Sequence, residues 1–126
     1  MTITDLTPNL YVDEIEPCLP FWMDRMGFQK IAEVPVEGKL VFALLQKDNL
    51  NVMYGTYSSL AHDATVKDIV HGTSFLYLKV TNIDEVVKAM EGADVLGPVY
   101  STFYGSRELS VKDPAGHVVT FAQFDR

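Results

Sequence analysis

Four side chains in this sequence are candidates to move a proton: Tyr11, Tyr54, Tyr77 and Glu108. A phenol or carboxyl works as an acid or base only when burial or a neighbour brings its pKa toward the working pH. No spacing here forces such a shift. Three histidines, His62, His71 and His117, could supply nitrogen to a metal. They lie far apart, without the close spacing of a ligand pair. His117 reads as a turn residue, His71 as part of the linker, and His62 as a residue in polar surroundings. Cys18 is the one cysteine, so no internal disulfide can form. It reads as a small buried residue in a reducing compartment. Arg107 and Glu108 are neighbours and are expected to pair with each other or with a second copy. There is no Gly-x-Ser-x-Gly, no phosphate-cradling glycine loop and no His-Glu-x-x-His, which removes the usual nucleophile, nucleotide and zinc-protease chemistries.

Composition narrows the partners. The chain has 126 residues, is 48% hydrophobic and 21% charged, and carries a formal net charge of −7. That length suits one domain with a full core. The acidic balance and the lack of a basic stripe exclude nucleic acid held through phosphates. A negative field favours a cationic ligand, although acidity that serves only solubility is the commoner case. No apolar run reaches the roughly 20 residues needed to span a bilayer. The first residues lack the basic and apolar parts of a signal peptide. The expectation is a cytoplasmic protein without membrane contact.

The elements that must position these side chains come twice. Leu10-Tyr11-Val12 leads into Glu14-Ile15-Glu16, and 68 residues later Leu78-Lys79-Val80 leads into Asn82-Ile83-Asp84. Each copy runs on to a Lys-Asp turn, Lys47-Asp48 and Lys112-Asp113. Such self-similarity means two copies of one supersecondary unit, with a groove between them as the place to seek function. In the first copy, Pro8 to Val12 reads as a strand and Pro17 to Met26 as a helix. Leu19, Trp22, Met23 and Met26 make its apolar stripe, and Gly27 its left-handed cap. Strands follow over Phe28 to Val36, Leu40 to Gln46 and Asn51 to Tyr54. Tyr57 to Gly72 is a linker with room for one helical turn. The second copy has a strand from Ser74 to Val80. An Asn82-x-x-Glu85 capping box then opens a helix striped by Ile83, Val86, Val87 and Met90. Its remaining strands are Val95 to Tyr100, irregular at Gly97-Pro98, then Glu108 to Val111 and Val118 to Gln123. The fold class is therefore α+β, two βαβββ modules over about residues 5–56 and 73–126, cupped into an open half-barrel.

Two segments carry a family resemblance. Phe21-Trp22-Met23-Asp24-Arg25-Met26-Gly27-Phe28 resembles a helix and cap of the vicinal oxygen chelate superfamily. Tyr104-Gly105-Ser106-Arg107-Glu108, followed by Asp113-Pro114-Ala115-Gly116-His117, resembles its second-copy signature. This superfamily includes glyoxalase I, extradiol dioxygenases and bleomycin resistance proteins, and the likeness runs from about Thr7 to Phe124. It implies a homodimer, with domain swapping as one form, and a divalent metal in the enzymes. The positions matching the metal ligands hold Thr7, Met53, Phe75 and Thr120. None is a good donor for such a cation. The resemblance is closest to the bleomycin resistance branch. It implies metal-independent capture of an aromatic or cationic small molecule, such as an antibiotic, with no catalytic residue and no cofactor. The alternative is a metal-dependent lyase or dioxygenase with displaced ligands; a third is a structural subunit whose cup is filled by its own side chains.

Strand alternation selects the lining. The expected ligand-binding residues are Thr7, Asn9, Tyr11, Met53, Phe75, Tyr77 and Thr120, beside Lys79, Val118 and Ala122. The same alternation is met if Phe75 and Tyr77 simply fill a core, if the two threonines are ordinary strand residues, and if Lys79 reaches to the rim.

Overall fold

The computed structural model describes residues 1–60 and 71–125. His62 and most of the expected linker lie outside them. The chain divides into two compact units, Met1–Gly72 and Thr73–Arg126.

The first unit is a four-stranded open sheet with one main helix. Its strands are β1 (Asn9–Val12), β2 (Gln29–Val36), β3 (Lys39–Lys47) and β4 (Leu50–Thr56), in the order β1-β4-β3-β2. β1 runs parallel to β4, while the β2-β3 and β3-β4 pairs are antiparallel. The expected helix is divided: a 3-10 turn over Glu16–Cys18 precedes α1 (Leu19–Met26). Pro17 and Pro20 each sit in a first turn, where the missing N–H has no helical partner to lose. Gly27 ends α1 at φ 78, and the N–H groups of Gly27 and Phe28 reach back to the carbonyls of Met23 and Trp22. The Gly27 bond to Met23 is the αL-type cap, and it needs a left-handed residue. Lys47 Nζ also reaches the Met26 carbonyl at 2.6 Å, placing a cation on the negative helix end.

Only part of the expected helical stripe is core. Phe21 and Trp22 are buried, whereas Leu19, Met23 and Met26 are half-buried. Trp22 packs edge-on against Phe21 and Phe28 and donates its indole N–H to Tyr54 Oη at 2.8 Å. Leu10, Val12, Ala43, Leu45 and Val52 complete this core from one face of the sheet. A short helix, α2 (Tyr57–Leu60), follows β4.

The second unit repeats the plan with a split strand. β5 (Phe75–Lys79) leads to α3 (Ile83–Ala89), then β6 (Asp94–Val95), β7 (Tyr100–Ser101), β8 (Ser106–Lys112) and β9 (Val118–Phe124). The order is β5-β9-β8-β6, with β7 also paired to β8. The expected strand from Val95 to Tyr100 is thus two short pieces, because Gly97 at φ 101 and Pro98 break the ladder between them. Asn82 caps α3 through the N–H of Asp84 at 3.0 Å, and the Ile83 N–H is taken by the side chain of Gln123 at 2.7 Å. Ile83, Met90, Leu109, Val111, Val119 and Phe121 form this core.

Candidate functional site

The face of the second sheet turned away from its core carries the chemistry. Residues alternate along β5, so Phe75, Tyr77 and Lys79 share one side and Leu76 and Leu78 the other. Strand register carries that side across the sheet. Phe75 pairs with Val118, Tyr77 with Thr120, and Lys79 with Ala122. Thr120 in turn pairs with Ser110, Ala122 with Glu108, and Glu108 with Tyr100. Ser110 Oγ and Thr120 Oγ1 lie 2.8 Å apart. Large rings stand open on this unit: Phe75 is 75% exposed, Tyr77 49%, Tyr100 48% and Tyr104 49%.

Beneath these rings lies Glu108, 2% exposed. An ionised carboxylate in such a place needs hydrogen bonds on its lone pairs. Tyr77 Oη donates to Oε2 at 2.5 Å, Tyr104 Oη at 2.8 Å and Ser106 Oγ at 2.8 Å, while Tyr100 Oη donates to Oε1 at 3.2 Å. Burial pulls the carboxyl pKa up, but hydrogen bonds from Tyr77, Ser106, Tyr104 and Tyr100 outweigh it and hold the group below its ordinary value. The reverse follows for the phenols. The hydrogen bond to Glu108, then burial, drives Tyr77 well above the usual tyrosine range. Burial, then the same carboxylate, raises Tyr100. The cover over Glu108 is one ring deep, since the tyrosines that close it are themselves about half open to solvent.

Local structure explains how four donors reach one group. Tyr104 belongs to the turn between β7 and β8. Gly105 there takes φ 91, and Thr102 N–H bonds the Ser106 carbonyl at 2.9 Å. A left-handed residue at that point folds Tyr104 back over the start of β8. Tyr77 arrives from two strands away and Tyr100 from the neighbouring β7. Tyr104 leans on Phe103 and Phe124, with ring centroids 5.1 and 6.1 Å away. Lys79 Nζ lies over the Phe124 ring, 5.0 Å from its centre, close enough for a cation–π contact.

The corresponding face of the first sheet is apolar by comparison. Asn9 pairs with Met53 and Met53 with Leu44; Tyr11 pairs with Gly55 and Gly55 with Phe42. A Cβ on Gly55 would come within 2.7 Å of Tyr11 Cε1, so the bare backbone there is what lets the Tyr11 ring lie down on β4. Asn9 Nδ2 donates to Tyr11 Oη at 3.2 Å, and Tyr11 sits 6.2 Å from Tyr57. Tyr57 stacks on His71 at 3.6 Å. Thr7 is half-buried just ahead of β1.

Of the expected lining residues, Asn9, Tyr11 and Met53 lie on one sheet face, and Phe75, Tyr77 and Thr120 on another. The two groups belong to different units. Three expectations from sequence need correcting. Arg107 and Glu108 do not pair, because neighbours on a strand point to opposite faces: Arg107 Nη2 bonds Gln123 Oε1 at 3.3 Å. His117 is more than a turn residue. It is 3% exposed, and its Nδ1 accepts from Ser74 N–H at 2.9 Å, tying the turn to the chain entering β5. Tyr54 is fully buried beneath α1, remote from any open face. Tyr100, Tyr104 and Ser106 were missed. Their only trace in the sequence is that Tyr104 and Ser106 stand in the signature ending at Glu108.

A divalent metal does not fit what these faces offer. Thr7, Met53, Phe75 and Thr120 bring no imidazole or carboxylate, and Glu108 is a buried single carboxylate engaged by four hydroxyls. Among the described residues no three His, Cys, Asp or Glu side chains come together as a metal-holding set. No described helix is long and apolar enough to cross a membrane.

Residues 4–121 match the model of the Glyoxalase/Bleomycin resistance protein/Dioxygenase superfamily. No curated protein matches in sequence. Among solved structures, TioX from Micromonospora sp. ML1 superposes with a TM-score of 0.78 at 19% identity, covering 96% of this chain and 98% of that one. A lactoylglutathione lyase from Agrobacterium tumefaciens gives 0.75 at 16% identity, covering 95% and 92%. TnmS3, an antibiotic binding protein from Streptomyces sp. CB03234, gives 0.72 at 21% identity, covering 99% of each. At these identities the likeness is one of fold.

Proposed function

The chain belongs to the glyoxalase/bleomycin resistance protein/dioxygenase superfamily, and we propose that it is a binding member that sequesters an aromatic or cationic small molecule without a metal. The observation that carries this reading is the open ring-lined face of the second sheet, built over a hydrogen-bonded carboxylate. Exposed Phe and Tyr faces hold flat organic groups by stacking and cations by their quadrupole. Buried and held by four hydroxyls, the carboxylate is a fixed negative charge rather than a metal ligand. The lining named from sequence, Thr7, Asn9, Tyr11, Met53, Phe75, Tyr77 and Thr120, is carried forward as the ligand-contacting set. A homodimer and a role in antibiotic resistance belong to the same proposal; that the structural neighbour TnmS3 is an antibiotic binding protein supports the ligand class.

Titration of a broad panel of aromatic and cationic compounds tests it, followed through amide and aromatic-ring NMR signals. Trp22 is a poor reporter, since it is 2% exposed and engaged with Tyr54 in the core. Saturable shifts at Phe75, Tyr77 and Thr120 are expected, and silence across the panel would sink the proposal. The rival reading, a metal-dependent lyase with displaced ligands, predicts stoichiometric divalent metal in purified protein and turnover of a hemithioacetal. Finding both would replace the binding reading.

A further inference from the structure

Resting on the binding reading, we propose that the open face of the second sheet selects a hydrogen-bond-donating organic cation. This would be a primary or secondary ammonium on an apolar body, gripped by the hydroxyl oxygens of Tyr77, Tyr100 and Tyr104. The positions of the phenol protons decide what these oxygens can bind. An ionised carboxylate can only accept, so every hydroxyl within bonding distance of it must donate. Tyr77, Tyr100 and Tyr104 each have one hydroxyl proton, and each spends it on Glu108. What their oxygens have left is lone pairs. A ligand carboxylate, phosphate or carbonyl would meet acceptors facing acceptors. A ligand N–H would meet acceptors made more negative by donating to an anion, those of Tyr77 and Tyr104 above all, since Ser110 already bonds Tyr100.

Charge points the same way. The lysine–carboxylate pair Lys30 with Glu33 lies in the first unit, and the partners of Glu108 are hydroxyls rather than cations. Two lysines share this face by register: Lys112 stands in the Phe75–Val118 row, and Lys79 is drawn over the Phe124 ring, so the face already holds one ammonium against an aromatic ring. Phe75 at 75% exposure stands ready for the apolar body. The whole chain carries −7, so the approach favours a cation as well as the site does.

The test uses four probes that share a 2-naphthylmethyl body: the primary amine, its trimethylammonium analogue, the alcohol and the carboxylate. Each is titrated into the full chain at pH 7 and low salt, with Kd read from NMR shifts. The amine is expected to bind tightest, by about tenfold or more over the alcohol, the gain of a charge-assisted bond over a neutral one. The trimethylammonium, charged but without a proton to donate, should fall between them, and the carboxylate last. Glu108→Gln should close the gap between amine and alcohol. The ranking is read on the unaltered chain, so it stands even if that variant folds poorly. An amine that binds no better than the alcohol, or a carboxylate that binds best, overturns the inference. Equal binding by all four removes it while leaving the sequestering reading intact. Binding by none removes it too, and the broader panel then decides the sequestering reading alone.

Discussion

Glu108 is the residue on which the chemistry of the second unit turns, and its partners give it a pH signature. Its carboxyl is held below the ordinary 4.5, so its contribution to stability is present above that value and lost as pH falls through the folded one. Tyr77 behaves oppositely. Its phenol is raised above the ordinary 10.0, so its contribution is full below pH 10 and lost as pH rises through the folded value. Spectrophotometric titration of the six tyrosines should show late-ionising phenols, and Glu108→Gln should move them back toward the ordinary range. Unchanged late ionisation in that variant would mean that the carboxylate is not their cause. A second residue prediction concerns the first unit's core. Tyr54→Phe leaves the buried Trp22 N–H without its acceptor, which should cost about 1–3 kcal/mol in denaturant unfolding. The sequence flagged Tyr77 and Glu108 separately as acid–base candidates. It could not join them, because they are 31 residues apart and meet only through the β5-β9-β8 register. Tyr100, Tyr104 and Glu108 stand four residues apart in turn, a spacing that in an extended segment signals nothing.

At the scale of elements, periodicity and punctuation were readable and tertiary ties were not. Both helices, the glycine cap of the first and most strands follow from apolar spacing and caps. The divided Val95 to Tyr100 segment was legible only as irregular, since Gly-Pro marks a break without saying how much pairing survives on either side. The His117 tie could not be seen, because its partner is a backbone N–H 43 residues away. His117→Ala should cost about 1–2 kcal/mol by orphaning the Ser74 N–H, and it should speed hydrogen exchange at the entry to β5 more than in β8. Uniform loss of protection across the sheet would instead indicate a general core defect. Gly55→Ala tests the other face. The new methyl must push the Tyr11 ring off β4. A ring at a half-buried position can move, so stability should fall by less than about 1.5 kcal/mol. Ring signals of Tyr11 and Tyr57 should shift strongly, and a rigid, unmoved Tyr11 with a large stability loss would contradict this account.

Across the whole molecule, the repeat has kept its geometry and divided its chemistry. Asn9 pairs with Met53 and Met53 with Leu44 where Tyr77 pairs with Thr120 and Thr120 with Ser110. One row further along, Phe42 occupies the place held by Glu108 in the second copy. A single fold therefore carries one apolar face and one hydroxyl-rich face built over a buried carboxylate, and only the second has a reason to discriminate by charge. That asymmetry, with a net charge of −7, gives a kinetic prediction. The field of an acidic protein draws in a cation from beyond contact distance. Screening shortens that reach from about 30 Å at 0.01 M salt to about 3 Å at 1 M. The association rate of the naphthylmethyl amine should then fall severalfold between those salt concentrations, while that of the matching alcohol changes by less than about twofold, as a rate without electrostatic steering should. Exchange line shapes on the same NMR samples measure both rates. If the two probes respond alike, the acidity of this chain serves solubility alone, and selection for a cation must come entirely from the tyrosine oxygens at contact.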